Sequence, residues 1–318
     1  MCFDHKFLIP CGVMLQSLIV NNKQHPITIH AIVSQDVTEY DRETIRKILS
    51  KALKDEPLFY IFDESLLDNY PGLVGTHWDK SIYYRLFCAS ILPKGIDKIL
   101  YLDCDVIVYE DISDLWNEDI ADFGVAAVRN PNIEHRNLLF DYGLHQYFNS
   151  GVLLINLKDW RNKRIENLFI DIVAKEGNRL TFPDQDVLNI SFRNSLKLLP
   201  LKYNVQHQFL YTKSLIAMDM KEQIDELVSA VLFPSIIHFT GSIKPWMRGS
   251  FCAYKNVYKK YLKMTEWSDC LYKQESSFKV TYRIVRKMCK RTLIMFGLID
   301  DHIERKTYRL VQRKFKSE

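Results

Sequence analysis

Lys98-Ile99-Leu100-Tyr101-Leu102-Asp103-Cys104-Asp105-Val106-Ile107-Val108 is an apolar run broken by two carboxylates one residue apart. Lys98 to Leu102 has the length and composition of a buried strand, and Val106 to Val108 resumes the extended form beyond the acidic turn. Open α/β sheets bind ligands in the crevice outside their strand ends. The two aspartates are therefore expected where a ligand would arrive. Two hard oxygen donors with open positions between them suit Mn²⁺ or Mg²⁺. An Asp-x-Asp alone is more often a solvated acidic turn, so its reading depends on its neighbours.

Working outward, Ile27 to Val33 and Leu58 to Phe62 read as strands. Between them Ile45, Ile48, Leu49, Ala52 and Leu53 recur at helical spacing and stop before Pro57. Ser81 to Ile91 reads as a helix with a serine cap. Phe123 to Val128 and Val152 to Leu157 read as strands, and Asp159 to Ala174 as one helix. This alternation predicts an α/β fold, a mixed, mostly parallel sheet flanked by helices. No repeat, low-complexity tract or Gly/Ser linker interrupts it. The expected division is a catalytic unit over residues 1–255 and a basic helical region over residues 256–318.

Charge follows the same division. Residues 241–318 hold 19 Lys and Arg against 7 Asp and Glu, leaving 24 against 32 for residues 1–240. An acidic body with a basic tail points to a negatively charged surface or substrate near the C-terminus. Nucleic acid is not expected, because the tail carries no zinc spacing or ribonucleoprotein motif. In the tail Lys279, Arg283, Arg286, Lys287 and Lys290 fall on one helical face. Phe278, Val285, Met288, Met295 and Phe296 fall on the other. Two expectations follow: a helix lying on an anionic inner-membrane surface, or a helix packed on the body. Seven cysteines without a Cys-x-x-Cys pair read as a reduced, cytoplasmic chain, and no stretch is long enough to span a bilayer.

A second apolar run, Ser235-Ile236-Ile237-His238, ends in an imidazole and continues Phe239-Thr240-Gly241-Ser242-Ile243-Lys244-Pro245-Trp246. A neutral histidine is an ordinary third ligand for Mn²⁺. Gly241 would allow the backbone close to a phosphate, and Lys244 supplies a cation for a diphosphate. Taken singly, a histidine at a strand end is more often a packed core residue. Tyr147-Phe148-Asn149-Ser150-Gly151 stands before the strand Val152 to Leu157, and Pro183-Asp184-Gln185-Asp186 opens a helix. Asp184 taken alone is a helix cap. Amides and carboxylates at element ends are also what sugar hydroxyls require, since each hydroxyl both donates and accepts.

Together these pieces resemble glycosyltransferase family 8, and above all its bacterial lipopolysaccharide hexosyltransferases. The matching residues are Asp4 with His5-Lys6-Phe7-Leu8, Tyr84-Arg85-Leu86 and Leu100 to Asp105. They continue with Phe148 to Leu157 and Trp160, Asp184 to Asn189, and His238-Phe239-Thr240-Gly241 with Lys244-Pro245-Trp246. The resemblance implies a GT-A fold, a UDP-hexose donor (galactose or glucose), a saccharide acceptor that is lipid-linked in lipopolysaccharide synthesis, and retention of configuration. By the same resemblance Asp103, Asp105 and His238 hold the metal, and Asp4, Cys104, Gly241 and Lys244 contact the nucleotide and diphosphate. Arg85, Asn149, Asp184 and Gln185 surround the donor sugar, with Gln185 beneath the anomeric carbon. Arg129 or Asn130 replaces an acidic residue of some relatives, and Lys6 replaces a common Asn. Two rival classes are a metal-dependent phosphohydrolase and a nonenzymatic saccharide-binding protein. The first usually carries its Asp-x-Asp near the N-terminus with a Thr-rich continuation, and the second needs no dyad, distant His and Lys together.

Overall fold

A computed structural model describes residues 1–53, 55–69, 80–130, 141–144, 146–210, 224–247, 250, 252–270, 311 and 313–315. Among them the strands are β1 (Cys2–Phe3), β2 (His30–Val33), β3 (Leu58–Ile61), β4 (Lys98–Leu102) and β5 (Val106–Val108). They continue with β6 (Val125–Arg129), β7 (Phe148–Asn156), β8 (Leu196–Leu198), β9 (Val205–Gln206) and β10 (Ile236–His238). They form three sheets of orders β1-β2-β3, β4-β7-β6-β8 and β5-β10-β9. The pairs β1/β2, β2/β3, β6/β8 and β9/β10 are parallel. The pairs β4/β7, β6/β7 and β5/β10 are antiparallel. This is the mixed α/β architecture that the alternating pattern predicts.

β7 lies between two antiparallel partners and is buried along almost all its length, so its sequence is apolar on both faces. It begins at Phe148, four residues before the expected Val152, and so takes Asn149, Ser150 and Gly151 into the sheet. The pairing of β6 with β7 shifts register between Ala127 and Arg129, next to these polar residues. The helix Leu8–Asn21 was not legible as an element. Its residues are apolar nearly all round, without a polar stripe, because it packs against the helix Glu39–Leu49, the helix Lys255–Leu262 and β5 at once.

Two expected helices differ from the pattern. Lys80–Phe87 is a 3₁₀ segment, followed by a short α-turn at Cys88–Ile91. Tyr83, Tyr84, Arg85, Leu86 and Phe87 are all buried, which no single helix face can accomplish. The expected helix Asp159–Ala174 is two helices, Leu157–Asn162 and Ile165–Glu176, separated at Arg164 with φ 48°. The break folds the second helix back so that Trp160 meets Phe169 edge-on at 5.5 Å, while Trp160 stacks on Phe192 at 5.2 Å.

Residue 255 opens the helix Lys255–Leu262, whose Val257, Tyr258, Tyr261 and Leu262 are buried in the same core as β5 and β10. Val311 and Phe315 join that core, with the Phe315 ring against Tyr109 and Tyr254. Lys314, one of the tail cations, reaches the Leu232 carbonyl and lies over the Phe233 ring. The expected basic face from Lys279 to Lys290 and its apolar partners lie outside the described residues. Among the described residues no helix is long and apolar enough to cross a membrane.

Candidate metal and donor site

The site begins where two sheets meet. β4 runs into Asp103, and β5 starts at Val106, so the intervening turn is fixed at both ends. On one side Leu102 is in register with Val152, and the Asp103 N–H donates to Gly151 O at 2.8 Å. On the other, Val106 pairs with His238, and the Phe239 N–H donates to Asp105 O at 3.0 Å. His238 Nε2 then lies 3.2 Å from Asp105 Oδ1 and 3.9 Å from Asp103 Oδ2. One ligand atom from each of the three residues falls within 4.8 Å of the others. Two carboxylates and a buried imidazole are a donor set that fits a hard divalent cation.

Gly151 makes this convergence possible. A Cβ there would stand 2.2 Å from His238 Cε1 and 2.8 Å from Asp103 Oδ2, so any other residue collides with the candidate ligands themselves. That is the physical content of the Asn-Ser-Gly sequence.

Cations surround the carboxylates. Lys244 Nζ forms an ion pair with Asp105 Oδ2 and donates to Phe239 O at 2.7 Å. Burial alone would raise the Asp105 carboxyl, but the Lys244 ammonium beside it holds it far below the usual carboxylate range. Gly241, between His238 and Lys244, has φ 79°, a left-handed conformation that only glycine adopts cheaply. Arg85 is buried, and its guanidinium bonds Asp103 Oδ1 at 2.9 Å, Asp184 Oδ2 at 3.3 Å and Ser150 O at 2.9 Å. It also lies 4.8 Å over the Tyr101 ring, whose hydroxyl donates to Asp103 Oδ1 at 2.9 Å. Burial raises the Asp184 carboxyl, and the Arg85 charge opposes the rise.

The amides form the floor. Gln185 Oε1 accepts from Asn149 Nδ2 and from the Ser150 N–H, each at 3.1 Å, and Ser150 Oγ donates to Asp184 Oδ2 at 3.1 Å. Asp4 closes β1, caps the short turn His5–Phe7 by accepting from the Phe7 N–H, and accepts from Ser81 Oγ at 3.4 Å. Cys104 is buried, with Sγ toward Cys2 O at 3.5 Å and its thiol pushed well up by burial. Its side chain belongs to the core.

A sequence profile described as Glycosyl transferase family 8 matches residues 1–249 of the chain. The chain belongs to glycosyl transferase family 8. It is 28% identical over 281 residues to a lipopolysaccharide 1,2-glucosyltransferase of Escherichia coli, covering 85% of this chain and 79% of the relative. It is 25% identical over 280 residues to the lipopolysaccharide 1,3-galactosyltransferase of Salmonella typhimurium, covering 84% and 78%. It is also 27% identical over 276 residues to general stress protein A of Bacillus subtilis, covering 84% and 93%. Among solved structures, the galactosyltransferase LgtC in complex with donor and acceptor sugar analogs superposes with a TM-score of 0.74 at 20% identity, over 87% of this chain and 97% of that one. The shared fold is GT-A.

Within this family 8 glycosyltransferase, every residue expected to hold metal sits in one cluster; Arg85 bonds Asp103 directly, Asp184 is joined through Arg85, and Gln185 and Asn149 through Asn204 to His238. Sequence reasoning missed three members of the buried polar layer: Tyr147, Asn189 and Asn204. Asn189 clamps β7, donating to Phe148 O at 2.9 Å and accepting from the Phe148 N–H at 2.8 Å. Asn189 ends the matching stretch Asp184 to Asn189, and Tyr147 opens the stretch Tyr147 to Gly151 that stands before the expected strand. Asn204 is the last residue of the short 3₁₀ helix Leu201–Asn204, directly before β9, with no pattern to mark it.

Proposed function

We propose that this glycosyltransferase moves a hexose, galactose or glucose, from UDP-hexose to a saccharide acceptor, with retention, in lipopolysaccharide or other surface-glycan synthesis. The observation that carries the reading is the convergence of Asp103, Asp105 and His238 with Lys244 at the junction of two sheets. The relatives that act on lipopolysaccharide include both a glucosyl- and a galactosyltransferase, which supports the hexose class and leaves the two sugars as alternatives.

A Mn²⁺ or Mg²⁺ ion held by the triad would supply Lewis-acid stabilisation of the charge on the diphosphate leaving group. The chain does the rest. Lys244 adds a second cation beside the same carboxylate, and the glycine conformation at 241 lets main chain approach phosphate oxygens. Asp4 and the Cys104 main chain face the nucleotide. Arg85 holds Asp103 and Asp184 in place, and Asn149, Asp184 and Gln185 line the sugar side.

Retention through a protein nucleophile is disfavoured by the hydrogen bonding. Gln185 Oε1 already accepts two hydrogen bonds, which fills the two lone pairs of an amide oxygen. Asp186 is spent on Tyr147, Thr181 and Phe182, and Asp184 Oδ2 is held by Arg85 and Ser150, so that Asp184 or Asp186 as a covalent nucleophile is the second reading. The acceptor hydroxyl therefore attacks from the face that UDP leaves, and a phosphate oxygen takes its proton. The basic tail is assigned to an anionic membrane surface, where a lipid-linked acceptor would stand.

The test is hydrolysis of a panel of UDP-sugars with Mn²⁺ and no acceptor. UDP release from UDP-galactose or UDP-glucose, abolished by chelation, is the expected result. Metal-independent release, or release from no UDP-hexose, would remove the proposal.

A further inference from the structure

The polar layer beneath the site is one hydrogen-bond chain with a fixed direction, and the direction can be worked out from its far end. Asp186 is buried, and its Oδ2 accepts from the main-chain N–H groups of Thr181 at 2.8 Å and Phe182 at 3.1 Å. An ionised carboxylate has no proton to give, so Tyr147 donates its hydroxyl hydrogen to Oδ1. Burial and the Asp186 charge keep that phenol protonated. The phenol oxygen then has only lone pairs left for Gln185, and Gln185 Nε2 donates to it at 3.0 Å.

Two main-chain donors fix the amides independently. The Ser150 N–H points at Gln185 Oε1, and the Gly151 N–H points at Asn149 Oδ1 at 3.0 Å. Asn149 Nδ2 is therefore the group that meets Gln185. Asn149 Oδ1 in turn accepts from Asn204 Nδ2 at 2.8 Å. Asn204 is fully buried, and its remaining acceptor, Oδ1, faces His238 Nδ1 at 3.0 Å. Nδ1 must carry the hydrogen. The Nε2 lone pair of a neutral imidazole then faces Asp105 Oδ1 at 3.2 Å and Asp103 Oδ2 at 3.9 Å. Three electron-rich atoms meet, and a cation is what reconciles them.

We infer that Asn204 is a positioning residue that fixes the metal-binding tautomer of His238, and that Tyr147 is its counterpart at the sugar end, fixing the orientation of Gln185. The inference rests on the reading of Asp103, Asp105 and His238 as ligands of a divalent cation. Neither Asn204 nor Tyr147 acts on substrate directly. The chain makes the two halves of the site one unit: the ring that faces the metal and the amide that faces the sugar are oriented by the same series of donors.

Two variants and one spectrum test it. Asn204→Leu removes the acceptor at about constant volume and frees His238 to carry its hydrogen on Nε2. Its Mn²⁺ dissociation constant, followed by the electron paramagnetic resonance of free Mn²⁺, is expected to rise about 10–100-fold. Asn204→Asp retains an acceptor toward Nδ1 but cannot donate to Asn149. It is expected to keep Mn²⁺ affinity within a few-fold of the original while turnover falls. Tyr147→Phe is expected to leave Mn²⁺ affinity unchanged and to lower kcat with little change in KM for the UDP-sugar. Unchanged Mn²⁺ affinity in a folded Asn204→Leu protein would overturn the inference.

Should Asn204→Leu fail to fold, the ¹⁵N shifts of the His238 ring in the metal-free full chain, assigned against His238→Ala, decide the matter. A hydrogen on Nδ1 is expected, and a ring with its hydrogen on Nε2 alone overturns the inference. Absence of saturable Mn²⁺ binding by the unsubstituted chain would instead sink the metal reading, and the ring spectrum would still report the hydrogen-bond chain alone.

Discussion

Gly151 shows how one residue can be required for what it lacks. Its missing side chain is the space in which His238 and Asp103 stand. Gly151→Ala should therefore weaken Mn²⁺ binding at least about 10-fold and cost about 1–3 kcal/mol of stability, because ligands must shift to admit a methyl group. Calorimetric titration with Mn²⁺ checks this, and unaltered affinity would show that the glycine does not seat the ligands. Asp105 gives a prediction in pH. Its carboxyl is held below the usual range in the folded state, so its contribution to stability is complete above the unfolded value, about 3.9. That contribution is lost as pH falls from there through the folded value. In the presence of a chelator, the difference in Tm between the unsubstituted chain and Asp105→Asn should be constant from pH 7 to about 5 and should move against the unsubstituted chain below about pH 4. A difference that does not change over the acid range would contradict the electrostatic picture.

Elements place these residues by ending where they do. β4, β5 and β10 are short, and the acidic turn and His238 occupy the junction only because Leu102 is in register with Val152 while Val106 is in register with His238. A slip of one residue in either pairing would turn the ligands to opposite faces. The helix pair after β7 shows the cost of such placement. Arg164 adopts a left-handed conformation so that Trp160 and Phe169 can share one cluster, and the sequence offers no glycine there. Arg164→Gly removes the side-chain penalty at the price of added freedom in the unfolded chain. A net gain of about 0.5–1 kcal/mol is expected, read as a Tm rise of about 1–3 °C. A fall in Tm would mean that the Arg164 side chain contributes more than its backbone costs.

At the scale of the whole molecule, the division of charge meets the packing of the chain end. The tail is strongly basic, yet Val311 and Phe315 are buried in the catalytic core and Lys314 is held by Leu232 and Phe233. Deleting everything after residue 270 would remove that packing together with the charge. The membrane proposal is better tested by changing Lys279, Arg283, Arg286, Lys287 and Lys290 to Gln in the full chain. Each cation near an anionic surface contributes about 1 kcal/mol and is screened by salt. The unsubstituted chain should sediment with phosphatidylserine vesicles at low salt and be released at high salt, and the five-fold variant should stay in solution while keeping Mn²⁺-dependent UDP-sugar hydrolysis. Equal sedimentation of the two chains would leave the tail a structural element.

Much of this was legible in the residues. Apolar runs bounded by acidic or glycine-containing turns are local signals, and they placed β4, β5, β10 and most of β7, with Asp103, Asp105 and His238 at strand ends and Lys244 beyond β10. Local signals could not show the helix Leu8–Asn21, because a helix buried on every side has no polar face to give it a period. Nor could they show Asn204, whose importance comes from standing between His238 and Asn149 across 34 and 55 residues of chain. The chemistry of the site was written in residue types and their spacing. Its protonation and orientation were decided only in the folded molecule, because a buried polar group takes its direction from whichever donors and acceptors distant segments bring to it.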